Sequence, residues 1–288
     1  MNFKEYLSQW DLGIIGKIDY DHYVINRTNN PNLVICLGDS WTYGDSLDGS
    51  LRETQIYGQL IANDLNADLI NVGCPGFSNS WILKVGQELL KYLQENKNFY
   101  QKIYVIITLT ENARDIKTYY SFPFNYIQHY QNHGASSEFY QTLLDNIEDH
   151  WVKQITELVE LGDTRFTYFV GQNFVWHSMY RRLPANIITT DRNWIEVLAD
   201  YQGLPWPVRT NLVTGWVFDL FDESNNISGI KDRRFFKEFV LPYIERANLV
   251  NQWLDSSKLN GKVSSKHPNA LGHKLWADHI LERLKNIS

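Results

Sequence analysis

Cysteine is scarce in this chain: two among 288 residues, Cys36 and Cys74. Each closes an apolar run, VICLG and INVGC, and each reads as a small buried hydrophobe. A disulfide between them is not expected in a reducing compartment. Basic charge is also short. A formal net charge of −6 argues against a nonspecific nucleic-acid binder, which would normally show a basic face. No uninterrupted apolar run approaches the length that crosses a bilayer. The opening MNFKEYLSQWDLGIIGKIDYDHY has no basic start followed by a long apolar region, so no secretory signal is expected. The expectation is a chain that folds in the cytoplasm of the cell that makes it; export by another route, for example in a virus particle, stays open.

Several chemical signatures are missing as well. There is no internal repeat, no low-complexity linker, no Gly-rich phosphate loop and no dinucleotide fingerprint. The Gly-x-Ser-x-Gly elbow of the α/β-hydrolases does not occur. His129 and His133 are one helical turn apart, but NYIQHYQNHGASS offers no obvious third ligand and reads as a polar loop. No metal or organic cofactor is expected.

What remains is an ordinary globular composition, 43% hydrophobic and 21% charged, with an unusually high aromatic share of 14% and ten tryptophans. Residues 1–30 read as an N-terminal extension of mixed character. From residue 31 strands and helices alternate. NLVICLG (32–38) is a continuous apolar run, as expected of a strand buried on both faces. QIYGQLIANDLN (55–66) reads as a helix with Ile56, Leu60 and Leu65 on one side, and ADLINVG (67–73) as a second strand. NSWILKVGQELLKYLQEN (79–96) reads as a helix capped by Asn79 or Ser80. KIYVIITLT (102–110) and RFTYFVGQNF (165–174) are strands, separated by a helix over 136–162 that stops at Gly162. NALGHKLWADHILERLKN (269–286) is an amphipathic closing helix, with Leu271, Leu275, Ile280 and Leu284 as its inner stripe and His273 and His279 outside. Such alternation predicts a three-layer α/β/α domain with a central parallel sheet of about five strands, spanning 31–288. The aromatic-rich stretch from about 176 to 262 fits the alternation badly and reads as an insertion within that domain.

The chemistry-bearing residues fall at strand ends. Gly38-Asp39-Ser40 follows the first strand, Gly73 closes the second, Asn112 follows the third in TLTENARD, and His267 precedes the last helix in SSKHPNALGH. Together these four blocks resemble those of the SGNH hydrolases, the GDSL family of esterases and lipases, over residues from about 32 to the C-terminus. The resemblance implies a flavodoxin-like fold and ester hydrolysis through an acyl-enzyme. It gives Ser40 the role of nucleophile and His267 that of its base, because a serine hydroxyl is a poor nucleophile until a neighbour accepts its proton. It also implies an oxyanion hole built from the backbone N–H of Ser40, the backbone N–H of Gly73 and the side-chain amide of Asn112.

Two departures stand out. The family's third block, Gly-x-Asn-Asp, reads here Thr110-Glu111-Asn112-Ala113. The acid that orients the histidine normally lies three residues before it, and that position is Ser264. Either Ser264 or a backbone carbonyl orients His267, or a carboxylate from the insertion or closing helix does, or the site has lost turnover and only binds. Besides ester hydrolysis, two alternatives follow: a carbohydrate-binding or structural protein on the same scaffold, and an acyltransferase. Trp176, Trp194, Trp206 and Trp216 could form a stacking wall, so the expected partner is a small-molecule or glycan ester, by preference an O-acetyl ester on a carbohydrate. Trp41, Trp176 and Trp206 are the expected substrate contacts. Oligomeric state is left open by the sequence.

Overall fold

The computed structural model describes residues 24–26, 28–45, 47, 49–95, 100–110, 115, 137–173, 178–201 and 267–286. The first buried strand shows how the layers arise. In β2 (Asn32–Leu37), Leu33, Ile35 and Leu37 enter one hydrophobic cluster while Val34 and Cys36 enter the other. Alternate side chains leave a strand on opposite faces, so a run apolar at every position needs cover on both sides.

Parallel ladders join β2 to β3 (Ala67–Asn71) and to β4 (Lys102–Leu109). They continue from β4 to β5 (Phe166–Gln172) and from β5 to β6 (Ile187–Thr189). A short strand, β1 (Val24–Asn26), pairs antiparallel with β3 and closes that edge, giving the order β1-β3-β2-β4-β5-β6. The five parallel strands thus run in the flavodoxin-like order, and the three-layer sandwich expected from the sequence is present. The segment read as an insertion contributes to this frame: β6 and α6 (Trp194–Tyr201) both lie in it. Likewise, β1 comes from the residues read as an extension.

One face of the sheet is covered by α4 (Asn79–Glu95) and α5 (Ser137–Glu160), whose Leu83, Leu89, Leu90, Trp151, Ile155 and Leu158 are buried against it. The other face carries α3 (Tyr57–Asp64), α6 and α7 (Ala270–Lys285). Two short helices, α1 (Ser40–Tyr43) and α2 (Gly49–Gln55), link β2 to α3. Among the described residues, no helix is long and apolar enough to cross a membrane.

The inner stripe of α7 differs from the one expected. His273, Trp276, Ala277, Ile280, Leu281 and Leu284 are buried, whereas Leu271 and Leu275 are only half-buried. The largest ring decides the rotation. Trp276 stacks on Trp194 at 5.5 Å with 9° between planes, and Trp194 Nε1 donates to Gly272 O at 3.0 Å. His273 is therefore an inner residue, contrary to expectation, and His279 is half-buried, its Nε2 2.6 Å from Thr190 Oγ1. The helix expected over 55–66 is α3, and a separate short helix, α2, precedes it and ends at Gln55. The inner face of α3 is Tyr57, Gly58, Ile61 and Ala62, with Leu60 and Leu65 only partly buried.

Candidate active site

The chain moves from β2 outward in one direction to β3 and in the other to β4, so the carboxyl ends of β2 and β4 border the switch point of the sheet. Crevices at such points hold ligands in open α/β folds. Ser40 sits there. It is the first residue of α1, and Asp39 caps that helix, its Oδ1 accepting from Trp41 N–H at 3.0 Å. Asp39 is fully buried, and Oδ1 also accepts from Asn173 Nδ2 at 2.9 Å, just beyond β5. The aspartate of Gly-Asp-Ser therefore ties the Ser40 turn to the neighbouring strand end.

The glycine of that tripeptide is equally constrained. A Cβ on Gly38 would lie 1.9 Å from Thr42 Oγ1 and 2.6 Å from Thr42 Cβ, so the helix can fold back on the strand only over a bare Cα. Thr42 is then held from below. Its Oγ1 accepts from Tyr57 OH at 3.2 Å, and that phenol lies 3.1 Å from Thr108 Oγ1.

His267 meets Ser40 from the far end of the chain. Its Nε2 lies 2.8 Å from Ser40 Oγ, across 227 residues of sequence. Asn269 fixes the approach by capping α7, its Oδ1 accepting from Gly272 N–H at 3.1 Å. A second carboxylate is close: Asp45 Oδ2 lies 3.7 Å from the same Nε2. Behind the site stands His273, whose Nδ1 accepts from Tyr57 N–H at 3.3 Å, which leaves its proton on Nε2. Burial first, and the neighbouring His267 second, push the His273 imidazole down to about 3, so it stays neutral beside the pair.

Gly73 was expected to offer its N–H to an oxyanion. Its N–H donates to Asn71 Oδ1 at 3.0 Å, so it is committed within its own turn. What Gly73 supplies is room: a Cβ there would stand 2.6 Å from Tyr43 N and 2.9 Å from Thr42 C, atoms of the α1 backbone that cannot step aside. Asn71 Nδ2 donates to Thr42 O at 2.9 Å, so one side chain clamps both loops. Further along the turn, Cys74 N–H donates to Gly38 O, Phe77 N–H donates to Cys74 O, and Pro75 has no N–H. Gly76 is left, exposed, at φ 84°, with its N–H in no hydrogen bond among the described residues.

The end of β4 is locked by a reciprocal pair. Thr110 N–H donates to Asn79 Oδ1 at 2.7 Å and Asn79 Nδ2 donates to Thr110 O at 3.0 Å. Asp115 accepts from Ser80 N–H at 3.3 Å and from Trp151 Nε1 at 2.8 Å. Asn79 thus bridges to the third block where a cap was expected, and the β-branched Thr110 serves through its backbone.

Asn112, Ser264, Trp176, Trp206, Trp216, His129 and His133 lie outside the described residues. Trp41, an expected substrate contact, is a core ring: it is buried and meets Trp194 edge-on at 5.3 Å. Trp194 is fully buried too and forms no stacking wall. Both cysteines are free thiols, with Cys36 buried beneath α3. Among the described residues, no group of three or more His, Cys, Asp or Glu side chains is placed to hold a metal ion.

No family model matches the sequence, and no curated protein matches it. Among solved structures, the chain is similar to a psychrotrophic esterase, EstA, from Pseudoalteromonas sp., with 14% identity, a TM-score of 0.37, and cover of 88% of this chain and 97% of that one. It is similar to an acetyl xylan esterase, AlAXEase, with 18% identity, a TM-score of 0.35, and cover of 87% and 98%. A salicylyl-acyltransferase from a tetracycline biosynthetic pathway gives 11% identity, a TM-score of 0.37, and cover of 91% of this chain and 57% of that one. Such distant likenesses assign no activity to this chain.

Proposed function

We propose that this chain is a serine hydrolase of carboxylic esters, working through an acyl-enzyme in the manner that its resemblance to SGNH hydrolases implies. The observation that carries the reading is the 2.8 Å contact between Ser40 Oγ and His267 Nε2 at the switch point of the sheet. Nucleophile and base within hydrogen-bond reach is the arrangement covalent acyl transfer requires. Ser40 Oγ attacks the ester carbonyl as His267 takes its proton. The tetrahedral intermediate collapses, the C–O bond to the alcohol breaks, and the proton on Nε2 goes to the departing oxygen. Water then repeats the sequence on the acyl-Ser40 ester and releases the acid.

Developing oxyanion charge needs converging donors. Ser40 N–H at the start of α1 is one, and Asn112 is the side-chain donor that the resemblance implies. With the Gly73 N–H engaged by Asn71, we assign the third place to Gly76, the one uncommitted N–H of the 73–77 turn. The alcohol portion of the ester is read as a carbohydrate and the acyl group as acetyl, on the tryptophans at 176, 206 and 216; the buried Trp194 lends this no support.

The test is intact mass after treatment with a fluorophosphonate. A single adduct on the wild type, absent from Ser40→Ala and His267→Ala, is the expected result. A folded wild type that takes no adduct would make binding without turnover the better reading. Removing a member of such a constellation lowers turnover by about 10⁴-fold or more, so residual ester cleavage in either variant should be close to background.

A further inference from the structure

Beside the His267–Ser40 contact stands a carboxylate that the sequence did not mark. Asp45 belongs to the loop directly after the nucleophile helix, and its Oδ2 lies 3.7 Å from His267 Nε2, on the nitrogen that receives the serine proton. That placement is built into the backbone. Gly44 closes α1 at φ 81°, and Asp45 N–H donates to Ser40 O at 3.1 Å, so the position of Asp45 is fixed from the nucleophile itself. Arg52 braces the same loop. Its Nε donates to Gly44 O at 3.3 Å, its Nη2 donates to Leu47 O at 2.9 Å, and its guanidinium lies 4.2 Å over the Tyr43 ring.

We infer that Asp45 is a positioning residue for this reaction: it acts through His267, holding the imidazolium that forms when Ser40 gives up its proton. The inference rests on the ester-hydrolase reading above. In the first half-reaction the Ser40 Oγ–H proton moves to Nε2 as the Oγ–C bond forms, and the ring becomes cationic. Asp45 takes no proton. It faces that cation until Nε2–H protonates the departing alkoxide and the ring is neutral again. A carboxylate on the Nε2 side partly offsets what the serine at position 264 does not provide as a charge. Among the described residues, Asp45 faces the imidazole from the loop after α1 and neutral His273 faces it from α7.

The Asp45 side chain is 43% exposed, so water screens its effect. A unit charge at this distance in a water-like medium shifts a neighbouring pKa by about 0.5–1 unit. A nearby anion favours the charged imidazolium and raises its pKa, so removing it lowers it.

The experiment combines a histidine NMR titration with the pH dependence of fluorophosphonate labelling, on the full chain, for wild type, Asp45→Asn and Asp45→Glu. The His267 resonance is assigned by its loss in His267→Ala. In Asp45→Asn, the His267 pKa should fall by about 0.5–1 unit, and the acid limb of labelling should move down with it. The labelling plateau should drop about 2–5-fold, because a less basic imidazole accepts the proton less readily. Asp45→Glu should restore the limb, and about 1 M salt should shrink the shift. A wild type that labels while Asp45→Asn keeps an unchanged His267 pKa would overturn the inference and leave the hydrolase reading standing. A wild type that takes no adduct would remove the reaction itself, and Asp45's role with it.

Discussion

Asn71 offers the sharpest test of how Ser40 is held. Its side chain is buried and joins two loops, donating from Nδ2 to Thr42 O and accepting the Gly73 N–H on Oδ1. Asn71→Ala removes both hydrogen bonds, each contributing about 0.5–1.5 kcal/mol net, and leaves Thr42 O and the Gly73 N–H to find water or go unpaired. An unpaired buried group costs about 1–3 kcal/mol, so the expected loss is about 2–5 kcal/mol. That is large against a typical stability of about 5–15 kcal/mol, yet within reach of a folded variant. Urea unfolding followed by tryptophan fluorescence would measure it, with the midpoint falling and the slope unchanged.

Labelling of the folded variant tells the two roles of Gly73 apart. Thr42 lies two residues beyond Ser40 in the same short helix, and a displacement of about 1 Å at a reacting group can cost about 100-fold in rate. With the clamp gone, labelling of Ser40 should fall at least tenfold. If the Gly73 N–H instead served the oxyanion, Asn71→Ala would free it, and labelling would hold or rise. Stability within about 0.5 kcal/mol of wild type together with wild-type labelling would refute the clamp. Gly73→Ala should mimic the defect from the other side, through the 2.6 Å approach of its Cβ to Tyr43 N.

Three further outcomes follow from buried groups. His273 is held down to about 3 by burial, so the unfolded chain binds its proton first as pH falls. Its contribution is present above the ordinary histidine value of 6.5 and is lost as pH drops toward 3, a change of up to about 5 kcal/mol at 1.36 kcal/mol per unit. His273→Gln should flatten that limb of the stability profile; an unchanged slope would refute the assignment. Asp115 has the opposite sign. Burial raises its carboxyl above 3.8 despite hydrogen bonds from Ser80 and Trp151, so its contribution is full below 3.8 and lost as pH rises through the folded value. Asp115→Asn should remove that decline, read by urea midpoints at stepped pH. Gly38→Ala should lose about 1–3 kcal/mol by overpacking against Thr42, and Thr42→Ala should not rescue it, because the clash includes Thr42 Cβ at 2.6 Å; full rescue would refute the geometry.

The sheet was legible because its strands are mostly apolar on both faces, most plainly Leu33–Leu37 of β2, a pattern that only cover on both sides satisfies. β2, β3, β4 and β5 all fall where continuous apolar runs predicted them. β6 did not show, since three residues, Ile187–Thr189, give no period to read, and the same holds for β1. The inner face of α7 was misjudged for a different reason. Helical spacing alone fits the leucines, but Trp276 and His273 bury more ring surface against Trp194 and Tyr57, and the larger area sets the rotation.

The candidate site divides along the same line. Ser40 and His267 stood out because their residue types and order in the chain match the blocks of the resemblance, and the fold brings them to 2.8 Å. The parts that aim them were silent, because each is a contact between a side chain and a distant backbone group. Nothing local marks Asn71 as a clamp on Thr42, Asn79 as the lock on Thr110, or Asp39 as the partner of Asn173. Gly73 shows the hazard most plainly: a glycine at the end of a strand suits a donor to a substrate and a spacer under a helix equally well. Only the direction of its N–H separates the two, and that N–H points to Asn71. Asp45 was hidden by the opposite circumstance. It stands five residues beyond Ser40, where a turn residue is unremarkable, and it becomes a neighbour of His267 only once the chain ahead of the last helix has returned to meet α1.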